Sequence, residues 1–258
     1  LIRRVLTIAI VTLAVAYVGV LIAAFAGQRK ILFPVPAGAH APKRATLLRL
    51  EGGAVALSKP AAAGEPTVVY FHGNAMQLAD SEWLGEQLEG VGFMAVEYPG
   101  YGLAASPEGP SEAGCYAAAE TALKHLEATV PRDQIVLFGQ SLGTGVAVEM
   151  AKRGHGARMI LATPYTSITA IAGELLWFLP TRLLVRDPFD SLSKAKALSL
   201  PVLIVHGSAD EVVPTAMGRA LANEFPHAEL MIVEGAHHND LVDRPEVLAR
   251  ISAFAVGR

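Results

Sequence analysis

The sequence carries one cysteine, Cys115, in 258 residues. A disulfide within the chain is therefore excluded, and so is a metal site built on several thiolates. Charge is also scarce: charged residues make up 17% and the formal net charge is -3. No basic stripe with interleaved aromatics is present, and the sequence pI is about 6.3. Neither feature suits a nucleic-acid partner. There is no internal repeat, and no low-complexity linker beyond Ala61 to Gly64, which reads as a surface loop. Hydrophobic residues, in contrast, reach 52%, which excludes a disordered chain. The length suits one α/β domain with a large core, or two small domains. Cys115 lies in the run Cys115-Tyr116-Ala117-Ala118-Ala119, where a small core residue on a helix is a simpler reading than a nucleophile.

One long stretch has no charge at all. Val5 to Ala26 is almost wholly apolar over 22 residues. As a helix it would span about 33 Å at about 1.5 Å per residue, close to a bilayer core of about 30 Å. A buried core helix of this length would show a polar face, which this one lacks. Arg3 and Arg4 precede it, and Arg29 and Lys30 follow it. Charge on both sides weakens any argument about orientation, but the early arginines favour a cytoplasmic amino terminus. The rival reading is a secretory signal cleaved after Ala24-Phe25-Ala26, but the apolar run exceeds the usual signal core of about 7–15 residues. Residues 1–27 are thus expected to be an uncleaved membrane anchor, with a signal peptide as the alternative. Residues 28–258 are expected to form the folded domain, on the non-cytoplasmic side.

Beyond Gln28, strands and helices alternate. Strands are predicted at Thr46 to Leu50, Ala54 to Ser58, Thr67 to Phe71, Phe93 to Glu97, Gln134 to Phe138, Arg158 to Ala162, Val202 to Val205 and Glu229 to Val233. Helices are predicted at Met76 to Gly90, Ser111 to Thr129, Leu142 to Arg153, Pro214 to Phe225 and Pro245 to Val256. This order implies an α/β fold with a mainly parallel sheet covered on both faces. The apolar strands agree, since parallel strands are buried on both sides. The ligand site of such a sheet lies at the carboxyl ends of its strands. Those ends carry His72, Tyr98, Ser141, Thr163 and His206.

Gly139-Gln140-Ser141-Leu142-Gly143 fits G-x-S-x-G. In a chain of this length such a match arises by chance about one time in ten. Its setting is what gives it weight, because it follows an apolar strand and opens a helix, as a nucleophile elbow must. The tight turn requires small residues on either side of Ser141. The helix start behind it offers the Leu142 N–H to an oxyanion. A serine nucleophile needs a base and an orienting acid. On such folds they follow in the order Ser, Asp or Glu, His. Asp210 lies past a strand end, with Glu211 as a competitor expected to face solvent. The base must come from His237 or His238, and spacing does not choose between them. Asp240 and Asp243 read as turn and cap residues ahead of Pro245. His72-Gly73-Asn74-Ala75 should supply a second oxyanion donor, the main-chain N–H of Asn74, with Ala75 second.

Taken together, Tyr70-Phe71-His72-Gly73-Asn74-Ala75, Tyr98-Pro99-Gly100-Tyr101-Gly102, Gly139-Gln140-Ser141-Leu142-Gly143 and His238-Asn239-Asp240 resemble the membrane-anchored α/β-hydrolases. That group includes animal protein depalmitoylases and lysophospholipid or monoacylglycerol lipases, with many bacterial members. The resemblance runs from about Gln28 to the carboxyl terminus, and Gln28-Arg29-Lys30-Ile31-Leu32-Phe33-Pro34 is similar to the segment that follows the family's anchor. It implies an α/β-hydrolase fold with a short cap at about 164–196, His238 as the base and Asp210 as the acid. It also implies that Leu175-Leu176-Trp177-Phe178-Leu179 lies in the cap, and Tyr98, Trp177 and Phe178 become candidates to line a substrate pocket. Two departures stand beside the site: Glu97 where the family more often has Asp, and Leu103-Ala104-Ala105-Ser106 without the usual early Ser. The expected activity is hydrolysis of carboxylic acyl esters or thioesters, a class that extends to lipids, through Ser141, His238 and Asp210. No metal or organic cofactor is implied. The alternatives are a serine peptidase on the same fold and a non-catalytic membrane-anchored binding protein.

Overall fold

The computed structural model describes residues 2–258; Leu1, the first residue of the expected anchor, lies outside the described residues. The chain begins with one long helix, α1 (Ile2–Leu32). Its most apolar window has a mean hydropathy of 2.7, with none of it buried, so it is long and apolar enough to cross a membrane. The helix continues past the apolar run because its last turns find partners on the domain. Gln28 donates to the Leu184 carbonyl at 3.0 Å, and Arg29 pairs with Asp187 at 2.8 Å.

The domain holds eight strands: β1 (Thr46–Arg49), β2 (Val55–Lys59), β3 (Thr67–Phe71), β4 (Gly92–Val96), β5 (Ile135–Gln140), β6 (Arg158–Ala162), β7 (Val202–Gly207) and β8 (Ala228–Val233). They form one sheet in the order β1-β2-β4-β3-β5-β6-β7-β8. β2 runs antiparallel to both of its neighbours, and every pairing from β4 to β8 is parallel. Val68, Val69, Tyr70 and Phe71 of β3 are all fully buried, as a strand covered on both faces requires.

The helices α2 (Glu82–Gln87), α3 (Glu112–Glu127), α4 (Leu142–Lys152), α5 (Ile168–Leu175), α6 (Thr181–Leu184), α7 (Leu192–Ala195), α8 (Thr215–Glu224) and α9 (Pro245–Ala255) complete the fold. Leu123 of α3, Val146 of α4 and Met217 of α8 pack in the core of one face. Leu84 of α2 and Ile251 of α9 pack in the core of the other. Ser111 caps α3 by accepting the Gly114 N–H at 3.1 Å. This removes one of the unpaired donors at a helix start, an effect of about 1 kcal/mol.

One predicted helix is shorter than its pattern. Met76 to Gly90 contains a 3-10 turn, Leu78–Ser81, before α2. Tertiary hydrogen bonds hold this start: the Leu78 N–H donates to Glu97 at 3.1 Å, and the Gln77 N–H donates to Asp80 at 2.9 Å. The segment between β6 and β7 carries three short helices, α5, α6 and α7.

Candidate active site

β5 ends at Gln140 and α4 starts at Leu142, so Ser141 alone makes the turn. Its backbone sits at φ 49° and ψ -117°, a strained conformation for a residue with a side chain, costing of order 1–3 kcal/mol. The surroundings impose it. Ser141 donates its N–H to the Ala162 carbonyl at 2.9 Å, and its own carbonyl accepts the Thr144 hydroxyl at 2.7 Å. The flanking glycines are required by space: a Cβ on Gly143 would lie 1.9 Å from the Phe71 carbonyl oxygen, and one on Gly139 would lie 2.4 Å from the Gly143 carbonyl oxygen.

His238 follows β8 and reaches back over the sheet. Its Nε2 lies 3.0 Å from Ser141 Oγ, and its Nδ1 lies 2.9 and 3.0 Å from the two Asp210 oxygens. A carboxylate accepts, so Nδ1 carries the proton and the Nε2 lone pair faces the serine hydroxyl. Adjacent residues point to opposite sides here. The His238 side chain is 9% exposed, whereas His237 is 60% exposed and pairs with the exposed Glu211 at 3.2 Å.

Asp210 follows β7, with its side chain fully buried. Burial alone would raise its pKa, but hydrogen bonds from His206 and His238 and from the Val213 and Val212 N–H groups outweigh it. The net result holds the carboxyl well below the usual carboxylate range. The two N–H bonds measure 2.8 and 2.9 Å.

His206, one of the strand-end residues, lies near the end of β7. In the structure its Nε2 is 2.9 Å from the Val213 carbonyl and 3.3 Å from Asp210 Oδ2. Since a carbonyl only accepts, this nitrogen carries hydrogen. The fully buried ring thus braces the acid at Oδ2, an oxygen that His238 also approaches.

The expected oxyanion donors lie at the start of α4 and in the loop after β3. Leu142 opens α4, and the first N–H groups of a helix have no intrahelical acceptor. Asn74 is held at both ends of its side chain: it accepts the Tyr101 hydroxyl at 2.9 Å and donates to the Leu32 carbonyl at the end of α1. Ala75, next in the loop, has a φ of 57°.

Beneath this loop lies a buried pair that sequence reasoning missed. His72 Nε2 is 3.0 Å from Glu97, with both side chains fully buried, and His72 Nδ1 is 2.8 Å from the Gly73 carbonyl. The second Glu97 oxygen accepts the Leu78 N–H. A signal existed: Phe71 pairs with Val96, so His72 and Glu97 emerge side by side from parallel strands.

The three candidate pocket residues are placed apart. Tyr98 is fully buried, donates its hydroxyl to the His72 carbonyl at 2.8 Å and has a pKa pushed well up by burial. Trp177 and Phe178 lie on the exposed tip of the cap. Asp187, unassigned from sequence, joins three elements by accepting from Arg29 of α1 and from the Glu112 N–H of α3 while itself lying in the cap.

The family model described as "Alpha/beta hydrolase family" matches residues 68–197, and one described as "TAP-like protein" matches residues 184–249. "Alpha/beta hydrolase domain-containing protein 17C" of Xenopus tropicalis is 35% identical over 196 residues, 73% of this chain and 61% of that protein. The chain thus spans about three fifths of that relative's length. Among solved structures, an esterase from Rhodococcus superimposes with a TM-score of 0.65 at 16% identity, covering 83% of this chain and 99% of that one. A monoacylglycerol lipase from Paleococcus ferrophilus gives 0.59 at 21% identity, covering 75% of this chain and 96% of that one. At those identities the likeness is one of fold.

Proposed function

From the premise that the chain belongs to the alpha/beta hydrolase family, we propose that it is a serine hydrolase cleaving carboxylic acyl esters or thioesters. The observation that carries this reading is the chain of contacts from Ser141 Oγ to His238 Nε2, 3.0 Å, and from His238 Nδ1 to Asp210, 2.9 Å. His238 takes the hydroxyl proton as Ser141 attacks the acyl carbonyl. Asp210, kept ionised, stabilises the imidazolium that results. The N–H groups of Leu142 and Asn74 hold the oxyanion. His238 then protonates the leaving alcohol or thiol, and water, deprotonated by the same ring, releases the acid. The esterase and the monoacylglycerol lipase among the solved structures of the same fold support an acyl substrate. The resemblance to depalmitoylases extends the class to thioesters and lipids.

The same reading makes α1 a membrane anchor, with the catalytic domain on the non-cytoplasmic side. Its hydropathy and length support the anchor, and the early Arg3 and Arg4 support the orientation. Hydrolysis of a short p-nitrophenyl ester tests the chemistry. Wild-type turnover that vanishes in Ser141→Ala is expected, and turnover retained in that variant would remove the assignment. Protease protection in sealed vesicles of known orientation tests the topology.

A further inference from the structure

The cap leaves its largest apolar side chains uncovered. Leu175, Trp177 and Leu183 are 72%, 83% and 83% exposed, and Phe178 is half exposed. Single exposed apolar residues are ordinary, whereas a cluster at one tip marks a surface that meets something. Where the tip sits along α1 says what it meets. Tyr17, in the middle of the apolar run, donates its hydroxyl to the Phe178 carbonyl at 2.9 Å. Nearer the domain, the Arg186 guanidinium lies over the Phe25 ring, 5.4 Å from its centroid. At the end of the helix, Gln28 bonds the Leu184 carbonyl and the Arg186 N–H, and Arg29 pairs with Asp187. The cap therefore runs alongside α1 with its apolar tip level with the middle of the apolar helix. Of its charged residues, Arg186 and Asp187 are level with Phe25 to Arg29, while the exposed Glu174 and Arg182 flank the tip in sequence. A bilayer leaflet has the same order, hydrocarbon inside and polar headgroups at its edge.

We propose that the cap tip, Leu175–Phe178 with Leu183, inserts into the hydrocarbon of the leaflet next to the catalytic domain. The occupant of this surface is a lipid bilayer. The inference rests on the reading of α1 as a span of that bilayer. Tyr17 precedes Gln28 by 11 residues, about 16 Å along an upright helix and less along a tilted one. The Tyr17–Phe178 bond has a clear purpose at that depth. A loop carbonyl in hydrocarbon has no water to satisfy it and is tolerated only with a partner in the protein. Tyr17 is that partner.

The chain has two tryptophans, Trp83 and Trp177, so Trp83→Phe leaves Trp177 as the only reporter. The full chain is reconstituted in phosphatidylcholine vesicles whose acyl chains carry bromine. Most of the Trp177 fluorescence should be lost there, while aqueous iodide should leave it unchanged. Quenching by iodide and not by brominated chains would overturn the proposal. A second protein, with Trp83→Phe, Trp177→Phe and Ile10→Trp, reports on α1 by itself. If Ile10→Trp is quenched by brominated chains and Trp177 is not, the tip lies outside a membrane that α1 does cross. If neither is quenched, α1 is not a span and the proposal falls with that reading. Should Trp83→Phe fail to fold, Leu183→Cys carrying an environment-sensitive dye gives the same test, because the native Cys115 is fully buried. A blue-shifted dye emission in vesicles is expected, and a water-like emission would overturn the proposal.

Discussion

At the carboxyl end of the sheet, Ser141, His238 and Asp210 hold one another at 3.0 and 2.9 Å around a carboxylate with no exposed side-chain surface. In the cap, Trp177 and Leu183 are each 83% exposed. The first region is fixed by bonds among its own residues, and the strained Ser141 backbone persists because Ala162 and Thr144 hold it. The second region is held in part from α1, through Tyr17, Phe25, Gln28 and Arg29. The two meet at the loop after β3, where the Asn74 side chain reaches the end of α1 at Leu32 and Gly73 lies against Ser141. Catalytic geometry should therefore survive changes to the cap and α1, and fail on changes to the sheet end.

The largest effects should come from the sheet end. Ser141→Ala or His238→Ala should lower kcat by about 10⁶-fold and Asp210→Asn by about 10⁴-fold, with circular dichroism unchanged. Next is the buried pair under the oxyanion loop. Glu97→Ala leaves His72 buried without its partner, and should cost about 3–5 kcal/mol of unfolding free energy in a denaturant titration. Glu97→Gln, which keeps the size and an acceptor for the Leu78 N–H, should cost less.

The acid loop adds a pH dependence. The Asp210 pKa is depressed in the folded state, so its contribution to stability is complete above the ordinary carboxylate range. That contribution is lost as pH falls through this range toward the folded value. Asp210→Asn should flatten the acid side of a plot of melting temperature against pH.

A smaller effect is expected at the junction with α1. Arg29 is 34% exposed and its partner Asp187 is buried. Arg29→Ala should lower stability by about 1–2 kcal/mol and leave kcat for a soluble short ester unchanged. The smallest effect is expected at His237. His237→Ala should change kcat less than about twofold, because this exposed ring meets only the exposed Glu211. A loss at His237 equal to that at His238 would break the comparison between the two rings.

The sheet end was the more legible region in sequence. The apolar runs give β3 and β6 at the bounds seen in the structure, and the G-x-S-x-G spacing leads to a strand, one residue, then a helix. What sequence spacing left open was the choice between His237 and His238, because it turns on which side of the loop each ring faces. The resemblance to known hydrolases supplied that choice. Contacts made across the fold were not legible: His72 against Glu97, and Asp187 joining α1, α3 and the cap, are side chains far apart in sequence, and His206 reaches Asp210, four residues on, only through the path of the loop after β7. The late start of the Met76 to Gly90 helix has the same cause, since Glu97, just past β4, takes the Leu78 N–H. For the cap, composition showed an apolar run, and only the contacts with α1 show which way it faces.

The central claim is that Ser141 is an activated nucleophile. Its most direct test is to treat the folded full chain with a fluorophosphonate and map the adduct by mass spectrometry. The account predicts one phosphonylated residue, Ser141, and no labelling in His238→Ala over the same period. Labelling at another residue, or a folded wild-type chain that stays unlabelled, would contradict it.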